Sequence, residues 1–198
     1  MPMHMRKILS EYEKEAFEVN GTVYGTLYKS GSKEIVFTNK GMDLFNSIFS
    51  IEGLIEKSAD YDESEILVGE GEFDKVYKFD ASMVVKRYSP ESRENGITQL
   101  KRLAYLDIRL AEEGIQNTKV PELYFATRGK LCMEYIKGTT WIELMNTEKN
   151  DDLMEQFADS GAMEFLSMES LKGNAETKLD NIIVREFDGK YEFVLVDQ

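Results

Sequence analysis

The sequence predicts an α+β protein, in which short strands joined by tight turns alternate with a few amphipathic helices. Two observations support this fold class. Residues 22–38 contain two β-rich runs divided by a Ser-Gly-Ser turn signal at 30–32, which is typical of a hairpin. Residues 92–114 carry apolar side chains at helical spacing. These apolar positions are Leu100, Leu103, Leu106 and Leu110.

The first sixty residues are predicted to form a helix, a hairpin and a second helix, and we treat residues 1–60 as an N-terminal extension. Residues 6–17 are charged with sparse apolar positions, which predicts a short amphipathic helix. After the hairpin, residues 42–57 show helix-like apolar spacing and predict a second helix. The acidic and polar residues 58–65 predict a linker.

Strands dominate the pattern again from residue 65. Further strands are predicted at 65–68, 76–79, 83–86, 123–125 and 131–136. Besides the helix at 92–114, a helix is predicted at 150–168. The chain closes on a predicted hairpin that pairs 182–185 with 191–196 around Asp188-Gly189.

Composition excludes several classes of function. The net charge of −13 over 198 residues argues against nucleic acid or an anionic membrane as the main partner. The single cysteine, Cys132, excludes an intrachain disulfide and a cysteine zinc cluster, and suits a reducing compartment. The single histidine, His4, argues against Ser-His-Asp or Cys-His catalysis. Without a long apolar run or a signal peptide, the expected location is cytoplasmic.

A Gly-rich stretch and a lysine together suggest a phosphate site. Gly69 and Gly71 lie between two predicted strands, where their backbone N–H groups can approach a phosphate. A glycine-containing hairpin turn explains the same residues equally well. Lys86 ends an apolar strand shortly afterwards and would pair with a phosphate as a point charge. The alternative is that Lys86, beside Arg87, extends into solvent.

The final hairpin suggests a metal site. Asn181 and Asp197 each lie about eight residues from the Asp188-Gly189 turn, so pairing would bring them to one end of the hairpin. An amide oxygen and a carboxylate suit Mg²⁺ when it also binds phosphate. Alternatively, Asn181 ends a loop and Asp197 frays with the terminus. Asp180 is predicted to be a turn residue rather than a ligand.

Taken in order, these blocks resemble the eukaryotic-like protein kinase superfamily. The resemblance covers about residues 65–198 and rests on the blocks 69–77, 84–86, 133–138, 179–184 and 195–197. It implies a protein-kinase-like two-lobed fold. The small β lobe would span 65–136, and a truncated helical lobe with the catalytic-loop hairpin would span 137–198. Residues 1–60 fall outside the resemblance, as an element that covers the small lobe or binds a partner.

The resemblance assigns roles around ATP. Gly69 and Gly71 would cover the phosphates, Val76 would lie over the adenine, and Lys86 would contact the α- and β-phosphates. Met133 would form the back of the adenine pocket.

The remaining implied roles concern the base, the metal and the chemistry. The backbones of Glu134 and Ile136 would hydrogen-bond to the adenine, and Asn181 and Asp197 would hold Mg²⁺. Glu176, five residues before Asn181, would take the proton of a protein hydroxyl in place of the family's aspartate.

Several residues depart from the family pattern. Asp74 replaces the third glycine, and Glu70 and Glu72 add negative charge to the same stretch. Glu94 is the candidate partner of Lys86. The chain stops one residue after Asp197, so the activation segment is expected to be missing.

Two functions are therefore expected. The first is an ATP- and Mg²⁺-dependent phosphotransferase acting on a protein hydroxyl. The alternative is a catalytically impaired pseudokinase that regulates a protein partner. A third possibility is an unrelated α+β binding domain whose blocks match by chance.

Overall fold

The computed structural model describes residues 9, 11–48, 67–70, 74–79, 81–92, 94–145, 147, 150–175 and 178–197. The chain divides into two compact units. The first comprises Met1–Leu100 and Glu122–Tyr135, and the second comprises Lys101–Pro121 and Ile136–Gln198. The described residues form twelve strands and five α-helices, which confirms the predicted α+β class.

The strands are numbered in chain order. They are β1 (Glu13–Val19), β2 (Thr22–Ser30), β3 (Lys33–Thr38), β4 (Leu67–Glu70), β5 (Asp74–Lys78), β6 (Met83–Tyr88), β7 (Thr118–Lys119), β8 (Leu123–Thr127), β9 (Lys130–Glu134), β10 (Thr139–Thr140), β11 (Ile182–Phe187) and β12 (Lys190–Leu195). The helices are α1 (Asn39–Ile48), α2 (Gly96–Glu112), α3 (Trp141–Leu144), α4 (Asn150–Asp159) and α5 (Ala162–Leu171). Within the described ranges, none of these helices has the length and apolar content needed to cross a bilayer.

An eight-stranded sheet forms the first unit, in the order β1-β2-β3-β8-β9-β6-β5-β4. The predicted hairpin at 22–38 is confirmed as β2 and β3. The helix predicted at 6–17 is wrong over Glu13–Phe17, because these residues belong to β1. Asn20 and Gly21 have φ of 49° and 76° and join β1 to β2, with Val19 opposite Thr22. A two-residue hairpin turn requires two consecutive positive φ values, which Asn-Gly adopts readily. This Asn-Gly pair was therefore the sequence signal that strands, rather than a helix, flank the turn.

A cluster of buried side chains forms the core on one face of this sheet. Its members are Leu9, Tyr28, Phe37, Met83, Val85, Phe125 and Cys132. Helix α1 contributes Met42 and Leu44 to the same core. The helix predicted at 42–57 is confirmed as far as Ile48, and the rest of it and the linker at 58–65 lie outside the described residues.

One capping hydrogen bond and one close backbone contact position helix α1, which begins at Asn39. The Thr38 hydroxyl accepts a hydrogen bond of 2.9 Å from the Gly41 N–H, which caps the helix. At Gly41 a Cβ would lie 1.8 Å from the Tyr124 carbonyl oxygen, so only glycine allows this close approach to β8.

The helix predicted at 92–114 is confirmed as α2, and all four of its predicted apolar leucines are buried. It begins at Gly96 because Asn95 caps it. The Asn95 side-chain oxygen accepts hydrogen bonds from the N–H groups of Ile97 and Thr98 at 3.1 and 3.0 Å.

The second unit contains a four-stranded sheet in the order β10-β11-β12-β7. The predicted terminal hairpin is confirmed: β11 and β12 are joined by Asp188 and Gly189, with φ of 50° and 74°. The helix predicted at 150–168 is interrupted. Gly161, with φ of 79°, separates α4 from α5, because a left-handed residue cannot continue an α-helix.

An aromatic cluster fills the core of the second unit. Trp141 and Phe193 are fully buried, and their ring centroids lie 5.4 Å apart. Phe157 packs edge-on against Trp141 at 4.6 Å. Phe157, on α4, therefore belongs to this core.

Candidate functional site

Three predicted site residues lie in one row across neighbouring strands of the first unit. Gly69 on β4 pairs with Val76 on β5, and Val76 pairs with Lys86 on β6. Residues directly opposite each other in a ladder project from the same face of a sheet, so this row occupies one face. A Cβ at Gly69 would meet Val76 at an ordinary 3.7 Å, so packing within the fold does not require glycine there.

Lys86 is the most unusual residue of this row, because its side chain is buried. It is 3% exposed and therefore does not extend into solvent. Its Nζ lies 3.0 Å from Oδ2 of Asp74 and 5.3 Å from the centroid of the Tyr88 ring. The carboxylate and the ring face compensate part of the desolvation of the ammonium. The pairing of Lys86 with Glu94 stays a prediction.

The acidic residues near the Gly-rich stretch lie on different faces. Asp74 is opposite Tyr88, and Val76 is opposite Lys86, so Asp74 shares the face of Lys86. Glu70 is opposite Lys75 on the other face, and the two side chains form an exposed ion pair at 3.3 Å. The carboxylate of Glu70 therefore faces away from Lys86. Gly71 and Glu72 lie outside the described residues.

The predicted base-binding segment continues from β9. Met133 is buried and opposite Val84, two residues before Lys86, so it lies on the same face as the lysine. The Glu134 N–H donates to the Glu122 carbonyl at 2.8 Å, so this N–H is already paired within the sheet. Ile136 is buried and is the first residue of the second unit after the boundary.

The predicted metal ligands lie at the end of the β11–β12 hairpin. Asn181 ends a 3₁₀ turn (Leu179–Asn181), and its carbonyl accepts a hydrogen bond of 3.0 Å from the Val196 N–H. This bond extends the pairing of Ile182 with Leu195 by one step, so Asn181 lies opposite the neighbour of Asp197.

The donor types at this end suit a hard cation. Asn181 and Asp197 are both partly exposed and carry oxygen donors, which Mg²⁺ prefers. No group of three or more His, Cys, Asp or Glu side chains able to hold a metal occurs in the described part of the chain. Glu176 lies outside the described residues.

A buried glutamate holds both the backbone and the side chain of Asn174, and sequence reasoning missed it. Glu169 is 1% exposed and accepts hydrogen bonds from the Tyr105 hydroxyl (2.9 Å), the Asn174 amide (2.9 Å) and the Lys172 ammonium (2.8 Å). Its own backbone carbonyl accepts a further bond of 2.9 Å from the Asn174 N–H. The signal was its spacing from Phe165 and Leu166, which places a glutamate on the buried face of α5.

These contacts also fix the charge of Glu169. Burial favours the protonated acid, but the hydrogen bonds from Lys172, Asn174 and Tyr105 outweigh it and hold the pKa of Glu169 below its ordinary value. The carboxylate therefore remains ionised and anchors Asn174, seven residues before Asn181.

Comparison with known proteins does not assign this chain to a family. No protein-family model matches the chain, and no curated protein matches it. One similar solved structure is the aminoglycoside phosphotransferase APH(2'')-IIa in a ternary complex with streptomycin and ATP. It is 18% identical, with a TM-score of 0.36, and the match covers 57% of this chain and 39% of that chain. A likeness at this level establishes neither the fold nor the activity of this chain.

Proposed function

We propose that this chain is a kinase-like protein that binds ATP with Mg²⁺ and transfers a phosphoryl group to a protein hydroxyl. The observation that carries the proposal is the buried ammonium of Lys86, in one row with Gly69 and Val76. A buried charge is unfavourable for folding compared with an apolar side chain of the same shape. A role in binding an anion explains why a lysine occupies this position.

Gly69 supports the same reading. Because the fold tolerates a Cβ at this position, packing does not explain the glycine. Close approach of a phosphate to the backbone would explain it. Under the proposal, Gly69 and Gly71 cover the phosphates, and Val76 and Met133 enclose the adenine.

The other assignments follow the resemblance and belong to the proposal. The backbones of Glu134 and Ile136 would contact the base, and Asn181 and Asp197 would hold Mg²⁺, which would supply positive charge for the phosphates. Glu176 would take the proton of the attacking hydroxyl as its oxygen bonds to the γ-phosphorus, and the bond between the γ-phosphorus and the β–γ bridging oxygen would break to release ADP. The lobes at 65–136 and 137–198 would form the kinase-like fold, with a protein as substrate.

The alternative is a pseudokinase that regulates a protein partner. The observation that favours it is Asp74, whose carboxylate already pairs with Lys86. The glutamate in place of the family's catalytic aspartate points the same way, because its longer side chain displaces the base from the position an aspartate would hold.

Nucleotide binding tests the proposal directly. Mg-ATP should stabilise the protein against heat by about 2.7 kcal/mol when ATP is present at one hundred times its dissociation constant. The stabilisation should disappear in Lys86→Met and weaken in Asp197→Asn or when EDTA replaces Mg²⁺. Lys33→Met is the matched control, because Lys33 is an exposed lysine of the same sheet, on β3.

Two results would refute parts of the proposal. A folded protein whose melting temperature does not respond to Mg-ATP, or a response kept in Lys86→Met, would refute the nucleotide site. Binding without transfer of labelled γ-phosphate to itself or to a broad panel of proteins would refute the phosphotransferase and leave the pseudokinase.

A further inference from the structure

Asp74 holds the ammonium that a bound phosphate would need. We propose that the ion pair of Asp74 with Lys86 is an internal competitor of nucleotide phosphate, which keeps the site in a low-affinity state until Asp74 moves away. This inference rests on the proposed function, since it concerns the same lysine.

The geometry makes Asp74 the movable partner of the pair. The side chain of Lys86 is 4% exposed, whereas that of Asp74 is 25% exposed. Asp74 is the first residue of β5. Lys86 is on β6, which lies between β5 and β9 in the sheet. Rotation of one short side chain toward solvent would therefore break this ion pair without disturbing the strands.

The chemistry makes the two ligands exclusive. A carboxylate and a phosphate are both anions that bind the same ammonium through charge-assisted hydrogen bonds. The two anions repel each other at short range. A phosphate bound to Lys86 would therefore disfavour the present position of the Asp74 carboxylate, 3.0 Å from the lysine Nζ. Where a site is blocked in about ninety to ninety-nine of a hundred molecules, the apparent affinity falls about ten- to one-hundredfold, in proportion to the free fraction.

The position within the sequence supports this assignment. Asp74 stands where the kinase resemblance has a glycine, the residue without a side chain. The other acidic residue described beside this stretch, Glu70, pairs with Lys75 on the opposite face and does not reach Lys86. Of these two described carboxylates, Asp74 is therefore the one that meets the ammonium of Lys86.

The test is a calorimetric titration of the full chain with Mg-ATP and with Mg-ADP. Asp74→Asn should bind both nucleotides about ten to one hundred times more tightly than the wild type. Glu70→Gln is the matched control, since it removes one negative charge from the same hairpin but on the other face, and its affinity should change less than threefold. In a Lys86→Met background, the gain from Asp74→Asn should vanish, because the two residues act through one contact.

The outcomes separate this inference from the proposed function. If the wild type binds nucleotide and Asp74→Asn binds no more tightly than Glu70→Gln, the competitor is refuted while the nucleotide site stands. If neither the wild type nor Asp74→Asn binds, the nucleotide site itself is refuted, and the competitor with it. Asp74→Ser serves in place of Asp74→Asn if the asparagine variant is unfolded at the assay temperature.

Discussion

The hydrogen-bond network of Glu169 predicts a large, pH-dependent loss of stability in Glu169→Gln. A glutamine amide oxygen at the position of Oε2 still accepts from Tyr105 and Asn174, but these bonds become neutral. A bond to a charged group is worth about 1 kcal/mol more than a neutral one, so the two lose about 2 kcal/mol. The Lys172 bond is lost as well and adds at most about 1 kcal/mol, because the side chain of Lys172 is half exposed. We expect a total of about 2–3 kcal/mol.

The pH dependence follows from the direction of the pKa shift. The pKa of Glu169 in the folded protein lies below its ordinary value of 4.5, because hydrogen bonds stabilise the carboxylate. Its contribution is therefore complete above pH 4.5 and is lost as the pH falls through the folded pKa. The stability difference between the wild type and Glu169→Gln should be largest near neutral pH and shrink in acid.

Urea unfolding at pH 7 and at pH 3 to 4 measures both quantities. Glu155→Gln is the control, because Glu155 is an exposed glutamate on the neighbouring helix α4. A Glu169 variant as stable as the Glu155 variant at pH 7 would refute the worked magnitude. A stability difference that stays constant between the two pH values would refute the assigned charge state.

Three further substitutions test the packing. Thr38→Val removes the cap of α1 and should lower the free energy of unfolding by about 1–2 kcal/mol, measured by urea unfolding. Gly41→Ala should destabilise the protein, because the new Cβ would lie 1.8 Å from the Tyr124 carbonyl oxygen. An unchanged melting temperature would contradict this. Phe157→Ala should lose about 3–5 kcal/mol by opening a cavity beside Trp141 and Phe193, and near-ultraviolet circular dichroism should show looser packing of the tryptophan.

Local chemistry determined much of the fold from the sequence alone. The hairpin turn at Asp188-Gly189 and the apolar face of α2 require only neighbouring residues, and both are confirmed. The helix predicted at 6–17 was overturned over Glu13–Phe17 for a local reason as well, since Asn20-Gly21 marks a hairpin that the sparse apolar pattern concealed. Gly161 likewise marked the break between α4 and α5.

The sequence also pointed to particular site residues without placing them. Gly69, Val76 and Lys86 were selected by residue type and order, and the strand register aligns them in one row. Gly71 and Glu176 remain sequence predictions, because they lie outside the described residues.

Only the tertiary structure decided which groups meet across long separations in the chain. The pairing of β3 with β8 joins the N-terminal hairpin to a strand about ninety residues later, which no local pattern specifies. The register of β5 against β6 brings Asp74 to Lys86, and the packing of α2 near α5 brings Tyr105 to Glu169. The sequence shows that Lys86 and Glu169 are present, but it does not show their partners. Strand register and burial decide which groups contact these two side chains, because register and burial depend on the whole sheet and core.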